Sequence, residues 1–256
     1  MHVSHRAPHE RLTGVRIVTW VSSFSLVAAC TRAAAELPAP ADASVAPPPP
    51  AVPAPPAPPE PVSVDALDVP GDLEAYVLRG VRQRSRPMVF LGGMCVHPQG
   101  YLMSFAHAAV EHGVAIALQG DVSCGGGQSR WSYDVERTNR RIDAAFAAAG
   151  EPAPVDAIAI GLSQGADLAE KLAARWPEKY TRVILIASPL DPKPRAAKSV
   201  LMAGNYDVSK ERMRRAAVRL GPSATFISLG DAYHGQLGPA PNGRMAAALD
   251  FVDAPR

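Results

Sequence analysis

Ser163 sits in the middle of Gly161-Leu162-Ser163-Gln164-Gly165. An apolar run, Ala157-Ile158-Ala159-Ile160, precedes it, and Ala166, Leu168, Ala169, Leu172 and Ala173 follow at helical spacing. Strand, glycine-flanked serine, helix is the context that lifts a serine hydroxyl onto the tip of a tight turn. A hydroxyl is a weak nucleophile at neutral pH, so it needs a base within hydrogen-bond reach and a third group to orient that base. His234 is the candidate base, in Gly230-Asp231-Ala232-Tyr233-His234-Gly235. Of the 7 histidines, His2, His5 and His9 precede an expected cleavage point, while His107 and His112 lie on or after a helix. Asp207 is the favoured orienting acid, Asp191 stands next, and Asp231 is too near His234 in the chain to reach behind its ring. A tetrahedral intermediate needs two amide donors. Gln164, directly after the serine, supplies one; Met94, in the Gly92-Gly93-Met94-Cys95 loop, is expected to supply the other.

These residues need strands whose ends converge. Ala75–Arg79 reads as an edge strand; Pro87–Leu91, Val114–Leu118, Arg182–Ala187, Ser199–Ala203 and Ala224–Leu229 read as short buried strands. Helices are expected over Tyr101–Glu111, Asp134–Ala149, Val208–Leu220 and Pro239–Val252, with a glycine-rich loop at Asp121–Arg130. Wholly apolar strands alternating with helices imply an α/β fold, a mostly parallel sheet covered on both faces in three layers. In such sheets reactive groups lie beyond the carboxyl ends of the strands, and each residue named above falls at such an end.

Composition narrows the alternatives. The 256-residue chain is 47% hydrophobic with a net charge of +2 and no concentrated basic face, which speaks against a nucleic-acid partner. No His/Cys spacing suggests a metal, and Gly125-Gly126-Gly127 lacks the lysine of a phosphate cradle, so no cofactor is expected. No obligate protein partner is evident. Residues 1–30 carry Arg6, Arg11 and Arg16 before an apolar run too short to span a bilayer, the pattern of a signal peptide. The run ends Val27-Ala28-Ala29-Cys30, which resembles a bacterial lipobox; the resemblance implies lipidation at Cys30. With Thr31 next, an exported outer-membrane or cell-surface lipoprotein is expected, otherwise a periplasmic protein. Residues 31–62 are rich in proline and alanine and hold about half of the 26 prolines, so a stiff extended tether is expected. The catalytic domain is then residues 63–256.

The stretch GLSQGADLAEKLA is similar to the elbow of carboxylesterase, phospholipase and acyl-thioesterase-like α/β-hydrolases, and LGGMCVHPQGY is similar to the oxyanion loop of polyhydroxyalkanoate-depolymerase-like esterases. The order Ser163, Asp207, His234 fits that superfamily. Two positions depart from its pattern: Gly92 replaces the usual histidine, and Ala166 a usual glycine. The resemblance implies an α/β-hydrolase sandwich, shortened at its N-terminal edge because only one strand is read before Pro87. It has no lid domain, since only about ten residues separate Ile186 from Ser199. Trp131 and Tyr101 are candidate walls of the substrate site, and anchoring of the following helix is the other reading of Trp131. In the superfamily's sheet order Cys95 and Cys124 follow neighbouring strands, and in an oxidising compartment a disulfide between them is expected. The expected function is hydrolysis of a carboxylic ester through an acyl-enzyme. Thioester or peptide cleavage by the same residues, or an inactive binding module, remain as alternatives.

Overall fold

The computed structural model of the protein describes residues 62–81 and 86–255. The signal segment, Cys30 and the tether up to residue 61 lie outside the described residues. Among the described residues ten strands form: β1 (Asp65–Leu67), β2 (Ala75–Leu78), β3 (Met88–Leu91), β4 (Ala115–Leu118), β5 (Val122–Gly125), β6 (Gln128–Arg130), β7 (Ile158–Leu162), β8 (Arg182–Ile186), β9 (Lys198–Ala203) and β10 (Ala224–Ser228). The helices are α1 (Pro98–Ser104), α2 (Ala106–Val110), α3 (Val135–Ala148), α4 (Gln164–Arg175), α5 (Lys210–Leu220) and α6 (Pro241–Asp253).

Eight strands make one sheet in the order β1-β2-β4-β3-β7-β8-β9-β10. β2 runs antiparallel to both its neighbours; β3, β4, β7, β8, β9 and β10 are mutually parallel. The strands alternate their side chains between two cores. Met88, Phe90, Ile158 and Ile160 face α1, α2 and α6, where Leu102, Phe105 and Leu249 meet them. Val89, Leu91, Val183 and Leu185 face α3, α4 and α5 with Phe146, Leu172 and Met213. Burial on both faces is why these strands read as unbroken apolar runs. Each wholly buried side chain of this kind contributes about 1.5–3 kcal/mol of transfer free energy.

Four local expectations differ from the structure. The N-terminal edge holds two strands, not one. β1 is three residues, two of them exposed, and carries no alternation to read; the edge is short in strand length rather than strand number. The helix expected at Tyr101–Glu111 begins at Pro98 and breaks at Phe105, which leaves helical geometry at φ −126°. The Phe105 ring is wholly buried, edge-on to Phe90 at 5.6 Å. The glycine-rich loop is a hairpin of β5 and β6 whose turn places Gly125, Gly126 and Gly127 at φ +87°, +57° and +75°, a left-handed run that only glycine adopts without strain. Finally, Trp131 is 2% exposed and belongs to the core. Between β8 and β9, residues 187–197 form neither helix nor strand.

Candidate active site

Ser163 joins β7 to α4 with φ 51° and ψ −115°, a conformation that costs a non-glycine residue about 1–3 kcal/mol. The surroundings impose it. Ser163 N–H donates to Ile186 O at 2.8 Å, and Ala166 N–H donates to Ser163 O at 2.9 Å, so the end of β8 and the first turn of α4 hold the bend from both sides. The flanking glycines are there for space. A Cβ on Gly161 would lie 2.2 Å from Gly165 O, and one on Gly165 would lie 2.0 Å from Leu91 O. Both clashes are with backbone that cannot move away.

The base and acid loops are joined before the side chains meet. Gly204, just after β9, would carry a Cβ 2.0 Å from Ala232 O, so the two loops touch along their backbones. Asn205 N–H donates to Gly230 O (2.7 Å) and Tyr206 N–H to Ala232 O (3.1 Å). That contact delivers Asp207 to His234: Asp207 Oδ2 lies 3.1 Å from His234 Nδ1, and His234 Nε2 lies 2.8 Å from Ser163 Oγ. Asp207 Oδ1 accepts Ser209 N–H at 2.7 Å, which fixes the plane of the carboxylate. A carboxylate only accepts, so the proton between Asp207 and His234 belongs on Nδ1, and Nε2 is left to accept from the serine. The Asp207 carboxylate is shut off from solvent, whereas the imidazole is 45% exposed.

The other acids are occupied elsewhere. Asp191 pairs with Arg219 at 2.8 Å on the surface. Asp231 accepts from Asn205 Nδ2 at 3.0 Å. His97 is 3.2 Å from Tyr76 OH.

Of the two expected oxyanion donors, Gln164 opens α4, where an amide has no acceptor one turn back and the helix dipole is positive. Met94 is on the loop that crosses the serine: a Cβ on Gly93 would be 3.4 Å from Ser163 Cβ. Two roles differ from expectation. The Gln164 side chain, not only its amide, is engaged. Its Oε1 accepts Trp131 N–H and its Nε2 donates to Trp131 O, both at 3.0 Å. Trp131 in turn donates Nε1–H to Gly92 O at 2.8 Å. Trp131 is therefore a brace between the Gly92 loop and the Ser163 turn, not a substrate wall. A buried indole needs a partner for its N–H, and a loop carbonyl provides it. No periodic signal marks this brace in the sequence; the glutamine beside the serine is its one visible trace.

Tyr101 does face the site. A cavity of about 460 Å³ opens over Ser163, lined by Met94, Val96, Tyr101, Leu162, His234 and Gln236 among others. Burial raises the Tyr101 phenol above its ordinary value, and its hydroxyl donates to Gly235 O at 2.8 Å. Cys95 and Cys124 form a disulfide with Cα atoms 5.5 Å apart, and Ser129 N–H donates to Val96 O alongside it. The β5–β6 hairpin is thereby tied to the loop that carries Met94. Among the described residues, no cluster of three or more metal-ligating side chains occurs and no helix is long and apolar enough to cross a membrane.

No family model matches the chain. No curated protein matches it in sequence. Solved structures do resemble it. A putative lipase from Acinetobacter baumannii AYE superposes with a TM-score of 0.56 at 13% identity, covering 75% of this chain and 92% of the lipase. Carboxylesterase CesB from Bacillus subtilis superposes at 0.54 and 12% identity, covering 76% and 93%. Haloalkane dehalogenase DbeA from Bradyrhizobium elkani USDA94 superposes at 0.55 and 13% identity, covering 75% and 98%. A lipase, an esterase and a dehalogenase share the scaffold, so it does not by itself choose the reaction. What the strand order, the Ser163 turn and these neighbours establish together is that the chain has the α/β-hydrolase fold.

Proposed function

We propose that the protein is a serine hydrolase that cleaves a carboxylic ester through an acyl-enzyme. One observation carries this reading: the continuous path from Asp207 Oδ2 through His234 to Ser163 Oγ, ending at an open cavity. Ser163 Oγ attacks the acyl carbon while its proton passes to His234 Nε2. Charge developing on the carbonyl oxygen is met by the amides of Met94 and Gln164 at the positive end of α4. Collapse of the tetrahedral intermediate breaks the C–O bond, and His234 returns the proton to the departing alkoxide. Water, deprotonated by the same imidazole, then attacks the acyl-enzyme, and Ser163 recovers its proton as the acid leaves. Asp207 holds the imidazole in the required tautomer and stabilises its charged form.

The test is a fluorophosphonate probe together with a short-chain nitrophenyl ester. Labelling at Ser163 and turnover are expected, with both lost in Ser163→Ala. Labelling that survives Ser163→Ala would sink the assignment, and a folded protein that neither labels nor turns over would be a binding module.

We also propose that the enzyme is exported and anchored through Cys30, a reading supported by the Cys95–Cys124 disulfide, which suits an oxidising compartment. Cys30→Ser is expected to move the protein from the membrane fraction to the soluble one. Unchanged fractionation would remove the anchor.

A further inference from the structure

The cavity over Ser163 has a larger neighbour. A second cavity of about 770 Å³ lies beside it, within the size range that encloses a drug-sized molecule. The two share four walls: Val96, Tyr101, Gly235 and Gln236. The bond from Tyr101 OH to Gly235 O at 2.8 Å therefore stands between a space that holds the nucleophile and one that does not. Gly235 and Gln236 directly follow His234, and Leu237, Gly238 and Pro239 continue the lining of the second cavity. The path into it thus runs along the histidine's own loop.

That placement says which half of an ester would enter. The departing oxygen must lie at His234 Nε2 to receive its proton, whereas the carbonyl oxygen must turn to Met94 and Gln164. The alcohol arm is the half that begins beside His234. The lining also says what kind of alcohol. Val96, Tyr101, Leu237 and the two prolines are apolar, while His97, Gln128 and Gln236 offer hydrogen bonds. Among the described residues no lysine or arginine lines the cavity, and the one charged side chain of fixed sign there is the Asp231 carboxylate. A phosphate-bearing arm would bury its charge there without a cation to pair it, which is costly.

We propose that the second cavity is a leaving-group site and that the enzyme is selective for esters of bulky, neutral, hydroxyl-bearing alcohols. This rests on the serine-esterase reading above. Gly100 and Ser104, on α1, line the second cavity but not the one over Ser163. A Cβ on Gly100 meets nothing within 4 Å, so Gly100→Phe can narrow the second cavity without pressing on backbone. Ser104→Leu narrows it from the next turn and guards against a folding defect in the first variant.

The experiment compares three substrates: ethyl butyrate, glucose monobutyrate and ethyl decanoate. Expected for both variants is a kcat/KM on ethyl butyrate within about twofold of the parent and a loss of about tenfold or more on glucose monobutyrate, with ethyl decanoate little changed. Tyr101→Phe, which removes the hydroxyl bridge, is expected to raise the ratio of glucose monobutyrate to ethyl butyrate. Glucose monobutyrate hydrolysis unaffected by both variants overturns the proposal. A loss falling on ethyl decanoate instead places the acyl chain in the cavity and overturns it equally. Loss of the esterase reading is seen separately, as absence of fluorophosphonate labelling and of ethyl butyrate turnover in the folded parent, and this inference falls with it.

Discussion

At the amino ends of the parallel strands, Arg86 donates to Asp156 at 2.8 Å and to Asp253 at 2.9 Å. Arg182 donates to Val252 O at 2.7 Å and also reaches Asp156, as does the Thr181 hydroxyl. Lys198 donates to Ala254 O, and His112 Nδ1 lies 2.7 Å from Asp253. At the carboxyl ends the pattern reverses. Backbones touch through Gly161, Gly165 and Gly204, and the polar side chains over the middle of the sheet, Ser163, His234 and Asp207, are aimed at one another. Among the described residues, four of the five non-glycine residues with positive φ (Cys95, Tyr133, Ser163 and Ala187) lie at this end, and the fifth, Asp156, is locked into the opposite network. One end of the sheet is clamped by ion pairs between strands and the last helix. The other spends that stability on a bent serine and on loops that meet edge to edge. The separation explains how a strained turn persists: the sheet beneath it is fixed by contacts the site does not share.

The comparison breaks most sharply at two aspartates. Asp207→Asn is expected to lower kcat by about 10³–10⁴-fold, because an amide in that place favours the wrong imidazole tautomer, while thermal stability changes little. Asp156→Asn is expected to do the opposite. It leaves Arg86 and Arg182 short of an acceptor, but Asp156 is 48% exposed, so screening by water holds the loss to about 1 kcal/mol. Its kcat at a temperature below unfolding should match the parent. Steady-state rates and melting curves on both variants check this. A rate loss in Asp156→Asn as large as that of Asp207→Asn would show that the two ends are not separate.

Legibility in the sequence follows the same division. The Ser163 turn could be read because its serine, its glycines and the apolar runs on either side stand together in one short stretch, although only Gly161 clashes within that stretch and Gly165 is dictated by the distant Leu91 backbone; the buried strands could be read because both faces are apolar. The choice between Asp207 and Asp191 could not be made locally. It depends on Arg219, which engages Asp191 from α5, and on Gly204 closing against Ala232. The sequence leaves Trp131 open between wall and anchor because it gives the side chain's size and not its direction; the carbonyl of Gly92, far away in the chain, turns the indole inward. β1 and the β5–β6 hairpin were missed for want of periodicity, one being three largely exposed residues and the other disguised by its glycines. The second cavity is formed by α1 and the loop before it, by the β5–β6 hairpin and by the loop that carries His234, and no local pattern announces such a space.

The smallest expected effect concerns acid. Burial alone would raise the Asp156 carboxyl, but the Thr181 hydroxyl and the Arg182 and Arg86 guanidiniums overcome it and hold it below its ordinary value. A carboxylate depressed in the folded state adds stability that is complete above its unfolded value, about 3.9, and is lost as pH falls through the folded one. The melting-temperature gap between the parent and Asp156→Asn should therefore be steady at neutral pH and narrow below about pH 4. At the other end Asp121 is depressed in the same direction: burial opposes, while the Ser132 hydroxyl and amide and Arg137 prevail. Asp121→Asn should show its own narrowing gap over the same range, and in the double variant the two should add, because the residues lie in separate networks. Melting curves from pH 3 to 7 on the parent, both single variants and the double variant measure this. A strongly non-additive double variant would mean that protonation at the base of the sheet is felt at the rim, and the clamp would then be part of the site it supports.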